Sequence, residues 1–157
     1  MSSTISYDFS VRMYRDIFDQ YVVDMFEISG LSIKEIPFIF DSGATYTQLN
    51  KDLAEERGWK IFATGLELGG YLTDAPPTVY DLRTIPKLAF GNKQIYELVV
   101  ATPTDGNIKV SNLLGRSFID NFAHGVEPDI GRIFFRQRNI KIDPLKSFGR
   151  IAHSLQA

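Results

Sequence analysis

The feature that most constrains the fold is a short apolar run, Ile36-Pro37-Phe38-Ile39-Phe40, that stops at Asp41-Ser42-Gly43. A continuous apolar run of this length, ended by turn-forming residues, predicts a strand buried on both faces. Runs of the same kind recur along the chain. Residues Tyr21 to Ile28 mix alternation with β-branched residues and end at Ser29-Gly30. Trp59 to Leu68 has strand character and meets Gly69-Gly70. Leu88 to Phe90 and Ile95 to Ala101 flank Gly91-Asn92, which predicts a hairpin with a tight turn. Thr78 to Asp81 follows Pro76-Pro77, which favours an edge or exposed strand. Arg132 to Arg136 and Ile140 to Ile142 read as closing strands.

Two short helices interrupt this pattern. Asn50 is placed to cap Lys51 to Arg57, with Gly58 as the stop. The apolar stretch Val110 to Leu114 breaks at Gly115, and Arg116 to Phe122 predicts two helical turns. With no repeat, linker or low-complexity tract, the 157 residues read as one mostly β domain, a small barrel or sandwich.

Composition removes several chemistries. The chain has no cysteine, so a disulfide scaffold, thiol nucleophile, cysteine zinc site or iron–sulfur cluster is excluded. Only two histidines occur, His124 and His153, and neither has a second histidine at helical spacing. A formal net charge of −2, with both signs scattered, gives no electrostatic reason to expect nucleic acid or an anionic membrane. No apolar run approaches the roughly 18 residues of a membrane span. The start, Met1 to Ser10, has no apolar core of a signal peptide. The expected location is cytoplasmic, or that of a soluble fragment released from a longer precursor.

Asp-Ser-Gly taken alone is an ordinary turn sequence. Its setting is not ordinary, because a buried strand delivers the Asp41 carboxylate to the rim of a core. A carboxylate there must be hydrogen-bonded, paired or protonated. The segment Phe38-Ile39-Phe40-Asp41-Ser42-Gly43-Ala44-Thr45 resembles the active-site loop of retropepsin-like aspartic proteases. Asn112-Leu113-Leu114-Gly115-Arg116 is similar to that family's second motif, two apolar residues and a glycine before a short helix. Between the two, Leu66 to Tyr80 lies where the family carries its flap hairpin. The resemblance spans roughly Tyr21 to Gln137 and implies a small closed β-barrel of the acid-protease type. The whole chain, 1–157, is then a single retropepsin-like domain, with a core of about 20–143 and an extension at each end.

The resemblance also implies a mechanism. Two carboxylates about 3 Å apart share one proton, since like charges that close cannot both ionise. The ionised member takes a proton from water, and the protonated member donates to the scissile carbonyl. Neither metal nor cofactor is implied. This chain holds one such motif, so the implied enzyme is a homodimer with one Asp41 from each subunit. Asp41 is the expected catalytic residue. Ser42, Gly43, Ala44 and Thr45 form the active-site loop and dimer lock, with Gly43 allowing close approach. Gly69, Gly70 and Tyr71 are expected on the flap, against a peptide or protein substrate. Leu113, Leu114, Gly115 and Arg116 are expected to brace the loop from beneath.

Two positions qualify the comparison. Where relatives carry Ser or Thr, a hydroxyl donates to the carboxylate and favours its charged form. Ala44 lacks that hydroxyl, which implies a mildly acidic to near-neutral optimum. Viral members often place Asp where this chain has Thr45, and pair it with the arginine after the second motif. Arg116 therefore needs another acceptor, Asp120 or a C-terminal carbonyl, or faces solvent. His124 reads as a capping or surface residue, and Arg132, Arg136, Arg138 and Lys141 as a solvated strand face. Two alternatives stand beside the protease: an inactive dimerisation or peptide-binding module of the same fold, and an unrelated β-barrel in which Asp41-Ser42-Gly43 is only a turn.

Overall fold

The computed structural model describes residues 6–68 and 78–138. Among these residues, nine strands and two short α-helices follow in the order β1 (Phe9–Arg15), β2 (Tyr21–Ser29), β3 (Ser32–Phe40), α1 (Lys51–Arg57), β4 (Ile61–Leu68), β5 (Thr78–Phe90), β6 (Lys93–Pro103), β7 (Leu113–Leu114), α2 (Arg116–Ile119), β8 (Phe122–Glu127) and β9 (Arg132–Gln137), with a 3₁₀ turn at Pro128–Ile130. The Ile140 to Ile142 strand and the flap residues Gly69, Gly70 and Tyr71 lie outside the described residues.

The strands form one hydrogen-bonded network running β4-β5-β2-β1-β9-β8, with β3 on β2, β6 on β5 and β7 on β3. Among the described residues the end strands β4 and β8 do not pair, so the expected closed barrel is corrected to an open, folded sheet. The reason lies in how strands share edges. β5 gives one edge to β6 along its length and divides the other between β4 and β2. Register shifts between β4 and β5, at Ile61/Ala63 and Ala63/Leu66, add local bends that fold the sheet over its core.

β1 precedes the span expected to hold the core, yet it pairs with both β2 and β9. Its side chains Phe9, Val11 and Met13 point inward at alternate positions, as a half-buried strand requires. They join a core rich in phenylalanine, where Phe9 stacks on Phe135 at 5.2 Å between ring centroids and Phe90 meets Phe118 edge-on at 5.5 Å.

Three local expectations change. β3 is not buried on both faces: Ile36, Phe38 and Phe40 are buried, Pro37 is exposed and Ile39 half-buried. Thr78 to Asp81 begins a 13-residue strand in the middle of the sheet, not an edge strand. The described ladder with β4 begins at Leu68↔Thr78, and Pro76-Pro77 lie outside the described residues. The second helix stops at Ile119, and its predicted last turn opens into β8, which pairs fully with β9. The hairpin at Gly91-Asn92 forms as expected, with Phe90 opposite Lys93.

Helix α1 starts and stops where the residues placed it. Gly58 adopts the left-handed conformation, φ 71°, and its N–H returns to Ala54 and Glu55 carbonyls. Asn50 takes the cap position without a side-chain capping bond. Its amide instead exchanges two hydrogen bonds with the backbone of Val110, at 2.9 and 2.8 Å. The long-range partner wins because it satisfies a donor and an acceptor together. Among the described residues, no helix is long and apolar enough to cross a membrane.

Candidate active site

Asp41 follows the last residue of β3, where the strand has a different neighbour on each edge. β2 lies antiparallel on one side, and β7 arrives in parallel on the other, matching Ile39 to Leu113 and Phe40 to Leu114. The Ile39 N–H donates to the Asn112 carbonyl at 2.8 Å, and the Asp41 N–H to the Leu114 carbonyl at 3.1 Å. The backbone of Asp41 is thus fixed by a strand more than seventy residues later in the chain. Its side chain emerges half-buried beside a fully buried Leu114 and a buried Phe40.

The loop beyond it is a turn closed on the carboxylate itself. The Gly43 N–H donates to Asp41 Oδ1 at 2.9 Å, and the Ala44 N–H to the Asp41 carbonyl at 3.2 Å. A β-carbon on Gly43 would stand 3.2 Å from Asp41 Oδ1, so glycine here leaves room against the carboxylate. Ser42, Gly43 and Thr45 are exposed, while Ala44 is half-buried. The turn and the presentation of the carboxylate are therefore one geometry: the same hydrogen bonds that make an Asp-Ser-Gly turn also orient one carboxylate oxygen.

Beneath this loop runs the segment Leu113 to Ser117. The Arg116 N–H donates to the Ala44 carbonyl at 2.8 Å and the Ser117 N–H to the Thr45 carbonyl at 3.0 Å. Gly115 is the point of closest approach: a β-carbon there would lie 2.4 Å from the Tyr46 carbonyl oxygen and 2.9 Å from that of Ala44. Only glycine permits the two backbones to cross at this separation. Leu113 is half-buried, and Arg116 points outward with its Nε 3.3 Å from Asp120 Oδ2. Both side chains of that pair are substantially exposed, so it is worth at most about 1 kcal/mol.

Two residues that the sequence did not single out stand at the crossing, Thr47 and Ser117, both buried. No spacing in the sequence marks them, and only the approach of two distant segments makes them partners. His124 lies in β8, exposed, with its ring edge-on to Phe40 at 5.3 Å. On the outer face of β1–β3, burial and a hydrogen bond to Asp24 push the Tyr14 hydroxyl up to about 12, and a hydrogen bond with Asp24 raises the Glu35 carboxyl.

Comparison with known proteins gives a family and a fold. A family profile described as Aspartyl protease matches residues 25–118. Among solved structures, the fold is similar to a retropepsin-like aspartic protease from Rickettsia conorii, with a TM-score of 0.55 and 19% identity over 81% of this chain and 98% of that one. At that identity the likeness is one of fold. A comparison with curated proteins gives no match.

Proposed function

The chain belongs to the aspartyl protease family, and from that premise we propose that it is a homodimeric endopeptidase whose reacting groups are two Asp41 carboxylates, one from each subunit. The observation that carries this reading is the Asp41 loop: a half-buried carboxylate, oriented by the Gly43 N–H and held on Leu114 and Gly115, beside exposed Ser42 and Gly43. A single such loop is half of a site. A twofold axis through it supplies the other half, because an isologous contact brings the same residue of each copy together.

In that dimer the two carboxylates share one proton. The ionised Asp41 takes a proton from a water, the resulting hydroxide attacks the peptide carbonyl, and the protonated Asp41 donates to the carbonyl oxygen. Collapse of the tetrahedral intermediate returns a proton to the leaving amine. Ser42 hydroxyls would link the two loops across the axis. β4 and β5, paired up to Leu68↔Thr78, lead into and out of residues 69–77, where Gly69, Gly70 and Tyr71 are proposed to contact an extended peptide. Leu113, Leu114, Gly115 and Arg116 would serve the loop by packing and backbone bonds, without touching substrate.

The test is cleavage of a peptide library by purified protein, with oligomeric state measured in parallel. Asp41→Asn is expected to lower kcat about 10³-fold or more while the dimer persists. A dimer that cleaves nothing would instead support the non-catalytic, peptide-binding reading, and a strict monomer would remove the dyad altogether.

A further inference from the structure

The junction beneath Asp41 contains more than packing. Thr47 and Ser117 are 0% and 3% exposed, and their side chains form a closed polar node with the backbone of both crossing segments. The Gly115 N–H donates to Thr47 Oγ1 at 3.1 Å, Ser117 Oγ donates to Thr47 Oγ1 at 3.2 Å, and the Thr47 N–H donates to Ser117 Oγ at 3.1 Å. The flanking residue Gln48 extends the node, exchanging backbone bonds with Leu113 at 2.9 and 3.1 Å. The loop that carries Asp41 is thereby pinned at both ends on one segment: Asp41 on Leu114 at its start, Thr47 on Gly115 and Ser117 at its end.

From this we infer that Thr47 and Ser117 are positioning residues for the Asp41 carboxylate, an inference that rests on the catalytic reading above. Neither hydroxyl faces the loop surface, and neither contacts a reacting atom. Their effect passes through the backbone. Removing the Thr47 hydroxyl leaves the Gly115 N–H and the Ser117 hydroxyl without that acceptor in a buried site, which favours separation of the two segments. Because the Gly115 crossing has no slack, the displacement passes to the loop between the pins, residues 42–45, whose Ala44 and Thr45 carbonyls are bonded to the same segment. Two carboxylates that must meet within hydrogen-bonding distance tolerate little of this, since a misplacement of about 1 Å can cost on the order of 10²-fold in rate. Hydroxyls suit the task because their bonds are directional and, being neutral, they cost little to bury once paired.

The experiment compares Thr47→Val, which keeps the shape and loses the hydroxyl, with Thr47→Ser, which keeps the hydroxyl. In the 157-residue chain, kcat per titrated active site is expected to fall at least tenfold in Thr47→Val with KM within about twofold, and to stay within about twofold of the parent in Thr47→Ser. Ser117→Ala should lower kcat in the same way, and the Thr47→Val/Ser117→Ala double variant should lose less than the two single losses combined, as partners in one node do. Equal losses in Thr47→Val and Thr47→Ser, or a lowered melting temperature with kcat per site intact, would overturn the inference. Amide hydrogen exchange separates its failure from failure of the catalytic reading. If the parent cleaves nothing, faster exchange at Gly115 in Thr47→Val but not in Thr47→Ser still upholds the pinning, and unchanged exchange refutes it.

Discussion

Among the described residues, two of the junctions that bury polar side chains are built on opposite principles. Beneath Asp41, Thr47 and Ser117 satisfy one another and the backbone of two crossing loops without any charge. At the end of α1, Glu27 on β2 is buried between Arg57, 3.2 Å away, and the Trp59 indole N–H, while the Arg57 Nε has no partner among the described residues. Arg57, Trp59 and Glu27 also line an open cavity of about 490 Å³ with Tyr96 and Glu97. The neutral junction fixes a geometry at small desolvation cost. The ionic one costs several kcal/mol per ion to desolvate and repays it only while both partners stay. One is suited to holding a loop in place, the other to joining a helix to the sheet it rests on.

The contrast is broken most severely at the ionic junction. Glu27→Ala is expected to cost about 3 kcal/mol in urea unfolding, since it strands a largely buried guanidinium whose side chain is 14% exposed. Replacing both partners, Glu27→Gln with Arg57→Met, should recover much of that loss. In all these variants kcat per folded dimer should stay near the parent value; a specific loss of kcat would show that the two junctions are not separate in role.

Next in size is Gly115→Ala. Its β-carbon would meet backbone oxygen at 2.4 Å, well inside van der Waals contact, so a segment must move. Overpacking of this kind costs about 1–3 kcal/mol. Unlike the Glu27 variant, it should lose stability and kcat together, and unchanged kcat would mean that the crossing can shift without disturbing Asp41. The smallest effect is expected for Ala44→Ser, which adds a hydroxyl one residue past the turn. Stability should hardly change, within about 0.5 kcal/mol, while the rate profile moves toward acid because the new donor favours the charged carboxylate. A profile that stays in place would show that the Ala44 position does not reach Asp41.

The two junctions were not equally legible. Asp41, Gly43 and Gly115 stand out in the chain because turn chemistry and motif spacing are local properties. Thr47 and Ser117 carry no local mark, and their partnership exists only because β7 lies parallel to β3. Glu27 read as one polar residue in an alternating strand, and nothing near it in sequence announces Arg57 and Trp59 thirty residues on. The same division explains Pro76-Pro77, where a sound local rule gave an edge strand. Whether a strand is central depends on which distant strands reach it, and prolines before it in sequence do not reveal that.

What the sequence determined by itself is therefore what short-range chemistry governs: mostly short strands, the Gly91-Asn92 hairpin, the start and stop of α1, and a carboxylate delivered by an apolar strand into a glycine turn. Hydrophobic alternation, turn preference and helix termination act over a few residues, and they need no partner to be read. Tertiary structure alone decided that the sheet stays open, that residues before Tyr21 join it, and that two hydroxyls seventy residues apart close the node under Asp41. Those outcomes depend on which surfaces meet, and a meeting between distant segments is settled by the packing of the whole core.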